Sequence, residues 1–260
     1  MFFRSASSRG SLAHGDRYKP FMKAARDHGY PVEKHFYQTA DHHINCVFRI
    51  PGPKQTSGPA VKRPVVLMQH GLNDSSSFAL HEGPDSLALF FAEAGFDVWL
   101  NNTRGNLYSR NHKFLDAESD QDFWQFSFQE LGRYDAPAVI DYVRSQTKND
   151  SITYLGHSQG GSQILSGLDE NEKFFKDRVN LFLLTGPASR LDQCEMINLP
   201  LMCRLNEMNP ALCQSTSLLS PRFAKMTAPF NLEYPAIRFA SDSDPSKCSD
   251  IGLHNFGGHY

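Results

Sequence analysis

The sequence predicts an α/β protein built on a mostly parallel sheet flanked by helices. Three compact apolar runs, at residues 64–69, 96–100 and 179–184, lack the alternation of a half-exposed strand. Such runs are typical of strands that helices cover on both faces. A fourth run, 151–155, passes through a glycine-rich turn into a helical pattern. Strands that alternate with helices predict a parallel sheet with right-handed crossovers.

The remaining elements fit the same plan. Residues 18–28 have a weakly helical pattern that ends at Gly29. Residues 33–39 and 44–50 flank a polar turn, which predicts a β-hairpin. Helices are also predicted at 86–94 and at 133–147, where the apolar residues fall on one face.

The glycine-rich turn reads Gly156-His157-Ser158-Gln159-Gly160. Between a strand and a helix, Gly-x-Ser-x-Gly is typical of a nucleophile elbow. A larger side chain at Gly156 or Gly160 would collide where the strand and the helix meet. Ser158 is therefore the candidate nucleophile, and the backbone N–H of Gln159 is a candidate oxyanion donor. The alternative is an ordinary glycine-rich turn between a strand and a helix.

A second oxyanion donor is predicted after the strand at 64–69, which ends in His70-Gly71-Leu72. Hydrolases with such an elbow take this donor from a backbone N–H just after that strand, which makes Leu72 the candidate. The alternative is a plain strand-ending glycine turn. His70, Asn101 and Ser158 all follow strand ends, so three loops are expected to converge on the edge where such sheets carry their sites.

Composition bounds the class of protein. The chain has 260 residues, 40% of them hydrophobic and 21% charged, and a formal net charge of -2. This charge gives no electrostatic case for nucleic acid or an anionic membrane as a partner. No apolar run approaches the ~18 residues that would span a bilayer. Residues 1–17 are predicted to be a disordered tail; they lack the apolar stretch of a classical signal peptide, so the compartment stays open.

The cysteines leave two alternatives. Five are present, at Cys46, Cys194, Cys203, Cys213 and Cys248, with no C-x-x-C spacing, so no metal site is expected. Four of them follow residue 190, where one disulfide would form in an oxidising compartment. Reduced thiols are the alternative. No organic cofactor is implied.

With these stretches together, the chain resembles the acid lipase family, the gastric and lysosomal acid lipases of the α/β-hydrolase fold. The matching pieces occur in the family's order over about residues 18–190: Gly29-Tyr30-Pro31, His70-Gly71-Leu72, 94–100, Asn102-Thr103-Arg104-Gly105-Asn106, 123–127, 134–138 and 156–160. The resemblance implies a hydrolase core at 18–188 and the first part of a lid-bearing cap at 189–260. It also implies Ser158 as nucleophile, with Leu72 and Gln159 as oxyanion donors.

The resemblance further implies a lipase, a serine carboxylic ester hydrolase that acts on triacylglycerols or sterol esters through an acyl-enzyme. The resemblance implies a lipid ester as the binding partner, met at a lipid–water interface. A lysosomal or secreted location follows from the resemblance alone. Arg104 and Asn106 are expected to stabilise their loop, since a guanidinium more often holds carbonyls and carboxylates than substrate. His70 and His157 are expected to shape loops rather than act as bases.

The sequence departs from the family at the acid and the base of the triad. In this fold they follow the nucleophile as Asp or Glu and then His. The family carries them on strands after the cap, which this sequence is not expected to contain. The downstream candidates are Asp192, Asp242, Asp244, Asp250, His254 and His259.

These downstream residues lie in a polar turn or a glycine-rich tail, which favours structural roles, so both triad positions stay unassigned. The 260-residue chain is therefore expected to hydrolyse esters weakly or not at all and to leave an open, apolar sheet edge that a protein partner would cover. A non-catalytic hydrolase-like scaffold or binding protein is the alternative function. A fragment of a longer lipase is a third interpretation.

Overall fold

The structure is a computed structural model that describes residues 17–54, 62–72 and 74–189. Within these residues, one mixed sheet of seven strands is flanked by helices. The strands are β1 (Glu33–Gln38), β2 (His43–Ile50), β3 (Val65–Gln69), β4 (Asp97–Asn101), β5 (Asn111–His112), β6 (Ile152–His157) and β7 (Val179–Thr185). The α-helices are α1 (Lys19–Asp27), α2 (Leu87–Glu93), α3 (Phe128–Glu130), α4 (Ala136–Thr147) and α5 (Gln159–Lys176). A π-helical turn, Leu131–Asp135, joins α3 to α4.

The strand order is β1-β2-β4-β3-β6-β7, with β5 paired to β2. The hairpin strands β1 and β2 run antiparallel to their neighbours, whereas β4, β3, β6 and β7 are mutually parallel. Gln69 at the end of β3 pairs with Asn101 on one side and with Gly156 on the other. The carboxyl ends of three strands therefore meet at one sheet edge, as the sequence predicted.

The lack of alternation in the central strands follows from burial on both faces. On one face, Phe48, Met68 and Leu100 pack beneath α1 and α2. On the other, Leu67 and Trp99 pack against α4 and α5. All five side chains are fully buried. Every residue of β3 and β4 is buried, which confirms the prediction for the middle of the sheet.

Burial of β7 was predicted and is wrong for the described residues. The strand forms, but its centre is partly open, and Leu181 is 49% exposed. Among the described residues β7 is an edge strand, so fewer neighbours cover its side chains.

The elbow helix α5 continues beyond its apolar pattern through charged residues to Lys176. The helix breaks at Asn171, whose backbone is non-helical (φ −151°, ψ 64°). The Asn171 side chain accepts a hydrogen bond from the Phe174 N–H at 3.1 Å and so caps the next helical turns. The predicted helix at 133–147 begins as the π-helical turn, and the two-residue strand β5 was too short to show a pattern.

A buried arginine joins the loop after β4 to two distant parts of the chain. The Arg104 guanidinium donates to Asp135 Oδ1 from Nε (2.9 Å) and Nη2 (2.6 Å). It donates to Asp41, in the turn between β1 and β2, from Nη1 (2.5 Å) and Nη2 (2.8 Å). Burial alone would raise the pKa of the Asp41 carboxyl, but its bonds to Arg104 hold that pKa below its ordinary value. Arg104 thus stabilises its loop, as the sequence predicted.

A buried histidine beside this arginine makes stability depend on pH. The His43 ring packs on His112 and Phe123, with centroids 4.8 and 4.9 Å away. Burial, and then the positive charge of Arg104, lower the pKa of His43 to about 3. The folded state therefore keeps this ring neutral where the unfolded chain is protonated.

Replacing His43 by phenylalanine is expected to flatten the acid side of the stability curve. In the wild type, the unfolded state binds one more proton than the folded state below about pH 6.5. The unfolding free energy therefore decreases as the pH is lowered, by up to ~1.4 kcal/mol per pH unit. The loss stops near the folded pKa of about 3. Urea unfolding at several pH values from neutral down to about pH 4 measures this pH dependence of the unfolding free energy. The exposed His81→Gln is the control, and equal slopes for wild type and His43→Phe would contradict the assignment.

Candidate active site

Ser158 stands at the junction between β6 and α5 in a backbone conformation that few residues other than glycine adopt. Its φ is 51° and its ψ is −116°. The Ser158 N–H donates to the carbonyl of Thr185, at the end of β7, over 2.9 Å. Its own carbonyl accepts from the Gly161 N–H, also at 2.9 Å. Ser158 is therefore the N-cap of α5, at the carboxyl edge of the sheet.

The two flanking glycines allow β6, α5 and β3 to approach closely. A Cβ on Gly156 would lie 2.7 Å from the Gly160 carbonyl oxygen. A Cβ on Gly160 would lie 2.6 Å from the Gln69 carbonyl oxygen. Such contacts with backbone atoms are sub-van der Waals, so only glycine fits, which is the steric requirement expected from the motif.

A tyrosine beneath the turn was missed by the sequence reading. The buried Tyr154 hydroxyl donates to the Gly160 carbonyl at 2.8 Å, and Gln163 Nε2 donates to the same hydroxyl at 3.2 Å. These bonds fix the first turn of α5 to β6. A tyrosine in a buried strand gives no sequence signal of this role.

The loop after β3 lies directly beside the serine. A Cβ on Gly71 would lie 3.0 Å from Ser158 Cβ and 3.4 Å from His157 Cδ2. Leu72, the next residue, is half-buried, and Gln159 is buried as the first residue of α5. The arrangement brings a serine hydroxyl, the positive end of a helix dipole and a strand-end loop together, which suits attack on a carbonyl whose oxygen gains negative charge.

The histidines of the two motifs, His70 and His157, make contacts with loop residues and with Phe78. His70 is buried, which lowers its pKa, and both of its ring nitrogens bind loop residues, Gly71 and Thr103. It shapes loops, as predicted. The exposed His157 ring stacks on Phe78 with centroids 6.1 Å apart, and its Nδ1 lies 3.2 Å from Thr185 Oγ1.

Several predicted residues lie outside the described part of the chain. They are the acid candidates Asp192, Asp242, Asp244 and Asp250, the base candidates His254 and His259, and Cys194, Cys203, Cys213 and Cys248. The same holds for residues 1–16 of the predicted tail and 190–260 of the predicted cap. The fifth cysteine, Cys46, is buried in β2 as a free thiol.

Two further properties concern only the described residues. Within 17–54, 62–72 and 74–189, no three His, Cys, Asp or Glu side chains are grouped so that they could hold a metal ion. None of the helices in those ranges has the length and apolar character needed to cross a membrane.

Replacing Ser158 by glycine is expected to stabilise the fold. A non-glycine residue held at positive φ typically costs ~1–3 kcal/mol, and glycine removes most of that strain. We expect the unfolding free energy to rise by about 1 kcal/mol in Ser158→Gly, whereas Ser158→Ala keeps the strain. Urea denaturation of both variants measures the difference. Equal stabilities would show that the conformation at this position is unstrained.

Comparison with known proteins places this geometry in a family. The model described as "alpha/beta hydrolase fold" matches residues 64–231, and the model described as "Partial alpha/beta-hydrolase lipase region" matches residues 21–81. The first match covers more than half of the chain and includes Ser158 and Leu72.

Individual relatives agree with these matches. The human lysosomal acid lipase/cholesteryl ester hydrolase is 37% identical over 167 residues, which are 64% of this chain and 41% of that protein. The gastric triacylglycerol lipase of Mus musculus is 45% identical over 168 residues, 64% of this chain and 42% of that protein. Lipase 3 of Drosophila melanogaster is 43% identical over 164 residues, 63% of this chain and 41% of that protein.

The chain spans about two fifths of the length of these relatives. The resemblance to the acid lipases, predicted from the motifs, is confirmed by these identities. The chain belongs to the α/β-hydrolase fold family, and within it the chain is similar to the lysosomal and gastric acid lipases.

Proposed function

We propose that this protein acts as a lipase, a serine carboxylic ester hydrolase, with Ser158 as its nucleophile. The observation that carries the proposal is the strained Ser158 at the N-terminus of α5, with the Gly71-Leu72 loop packed against it. Strain of this kind persists only where surrounding structure enforces it, and it concentrates at functional sites. The two glycines, Tyr154 and the Thr185 carbonyl supply that enforcement.

In the proposed reaction, Ser158 Oγ attacks the ester carbonyl and its proton passes to a histidine base. The carbonyl oxygen becomes an oxyanion, to which the backbone N–H groups of Leu72 and Gln159 donate hydrogen bonds. The positive end of the α5 dipole stabilises the same charge. The alcohol leaves with the proton, and water then releases the acyl group from Ser158 as a fatty acid.

The base and its carboxylate partner are left unassigned. Both ring nitrogens of His70 are already bound within the loops, so His70 has no lone pair for the serine proton. The candidates that the sequence offers after Ser158 lie outside the described residues. A general base typically contributes ~10²–10⁴-fold to such a reaction, so its identity decides the rate.

The proposed substrate is a lipid ester at a lipid–water interface. Two relatives carry names that refer to cholesteryl esters and triacylglycerols. A single acyl-enzyme mechanism serves both, because the alcohol leaves in the first step and the acyl group alone stays on the enzyme. No cofactor takes part in any of these steps.

An active-site label tests the nucleophile directly. The purified 260-residue chain is incubated with an alkyl fluorophosphonate, which forms a covalent tetrahedral adduct on an activated serine. Mass spectrometry is expected to place the adduct on Ser158, with none in Ser158→Ala and an undiminished adduct in Ser145→Ala, where an exposed helix serine is removed. Labelling at another serine would contradict the assignment. A folded chain that binds a lipid ester without being labelled would favour the non-catalytic binding protein.

A further inference from the structure

The two loops that follow β3 and β4 are joined by buried hydrogen bonds centred on His70. Its Nε2 lies 3.2 Å from the Thr103 backbone N and 3.2 Å from Asn106 Nδ2. Its Nδ1 lies 2.7 Å from the Gly71 carbonyl oxygen. A backbone N–H can only donate and a carbonyl can only accept, so Nε2 is the acceptor and Nδ1 carries the proton. The contacts therefore define one neutral tautomer.

Asn102 joins the same two loops a second time. Its Oδ1 accepts from the Ser76 N–H at 3.0 Å and from Asn106 Nδ2 at 2.9 Å. Its backbone N–H and its Nδ2 both donate to the carbonyl of Cys46 in β2, at 3.2 and 3.3 Å. We call the hydrogen bonds of His70, Asn102, Thr103 and Asn106 the clasp. Through Asn102 the clasp is anchored on a central strand.

The strand end beneath the clasp is fixed as well. Asn101 Nδ2 donates to Gln69 Oε1 at 2.7 Å, and the Tyr37 hydroxyl donates to Asn101 Oδ1 at 2.9 Å. All three side chains are buried. Arg104, held by Asp41 and Asp135, fixes the far side of the loop after β4. The loop after β4 is therefore fixed, and it can hold the loop after β3 in place.

We propose that His70 and Asn106 are positioning residues that fix the Leu72 backbone N–H for the oxyanion. The inference rests on the proposed function, because it needs an oxyanion beside Ser158. The donor loop runs over the surface edge of the sheet, where loops are mobile unless tied down. An oxyanion donor is effective only when it is held 2.7–3.1 Å from the developing charge before the reaction begins. Through its Nε2, the clasp ties His70, two residues before Leu72, to Thr103 and Asn106 of the loop after β4, and so restricts the donor loop.

Two replacements of His70 separate the inter-loop bonds from the bond to Gly71. Glutamine places a polar atom at the ε position, where its Oε1 can accept from Thr103 and Asn106. Asparagine places its polar atoms at the δ position, so it can keep the bond to Gly71 but loses the bonds to Thr103 and Asn106. His70→Gln is therefore expected to stay near the wild type, and His70→Asn to behave like Asn106→Ala. Asn149→Ala, which removes a half-buried amide bound to the Arg63 carbonyl, is the matched control.

Amide hydrogen exchange of the full chain measures how strongly the clasp restricts the loop, independently of catalysis. Each lost hydrogen bond is worth a few-fold to about tenfold in the opening equilibrium. We expect exchange across residues 71–77 to speed up about tenfold in His70→Asn and Asn106→Ala, while β3 and β6 keep their protection. Nitrogen NMR of the wild type is expected to show His70 as the neutral Nδ1–H tautomer. An Nε2–H tautomer, or unchanged exchange in His70→Asn, would overturn the proposal.

The kinetics of ester hydrolysis then show whether the clasp affects catalysis. If the clasp positions the oxyanion donor, His70→Asn and Asn106→Ala lower kcat by about tenfold to a hundredfold with KM little changed, and His70→Gln restores most of the rate. Faster loop exchange with no change in kcat would overturn the positioning role. A wild-type chain that neither labels at Ser158 nor hydrolyses esters would instead defeat the proposed function, while the tautomer and exchange results would still decide whether the clasp exists.

Discussion

Ser158→Ala is expected to lower base-assisted ester turnover by ~10³-fold or more, because it removes the atom proposed to attack the carbonyl. Removal of the nucleophile from an enzyme with a working base costs ~10⁶-fold in kcat. The turn itself would survive, since alanine fits wherever serine does and Ser158 holds its neighbours through backbone atoms. The measurement is hydrolysis of a short-chain ester by folded protein. Ser145→Ala, on the exposed side of α4, is the control and should keep the wild-type rate.

The absolute rate of ester hydrolysis by the wild-type chain tests whether a general base reaches Ser158. The sequence predicts a slow chain, because neither triad partner could be assigned. Without a base, an elbow with an oxyanion hole retains only ~10³–10⁴-fold catalysis over water. Ser158→Ala would then match the wild type, which contradicts nucleophilic catalysis by this chain and favours a binding role. A fast wild type would show that a base reaches Ser158, and alanine variants of His254 and His259 would be made first.

The parts of the fold that sequence could predict are those set by local pattern. Strands β3 and β4 are continuous apolar runs because helices cover both of their faces, and that signal needs no partner to be read. The elbow is equally local, since Gly156, Ser158 and Gly160 fix its shape through sterics. The serine and its two glycines were therefore placed at the right junction without any knowledge of the remaining chain.

The parts that sequence could not predict depend on contacts between distant residues. Asn171 breaks α5 and caps its continuation, yet a lone asparagine among charged residues looks like the end of a helix. Asp41 and Asp135 are 94 positions apart and meet only on Arg104. The motif that contains Arg104 was visible, and its stabilising role was predicted, but neither carboxylate could be named.

The second large effect concerns Arg104, whose replacement by methionine is expected to destabilise the protein by ~3–5 kcal/mol. Methionine fills much of the same volume but donates no hydrogen bonds. It leaves the fully buried Asp135 carboxylate without the guanidinium that donates to it. A buried charge that loses its partner keeps its desolvation cost, which is why a broken buried pair is more harmful than an absent one. The measurement is the unfolding free energy from urea denaturation.

A surface arginine that donates to one carboxylate from the same two atoms, Nε and Nη2, provides the control. Arg133 donates to Glu170 from Nε and Nη2, at 2.6 and 2.8 Å, but its side chain is 50% exposed. Arg133→Met is therefore expected to cost no more than about 1 kcal/mol. Adding Asp135→Leu to Arg104→Met removes the stranded charge and should restore part of the loss. Equal costs for the two arginine variants would mean that neither the additional bonds of Arg104 nor the burial of Asp135 adds to the stability.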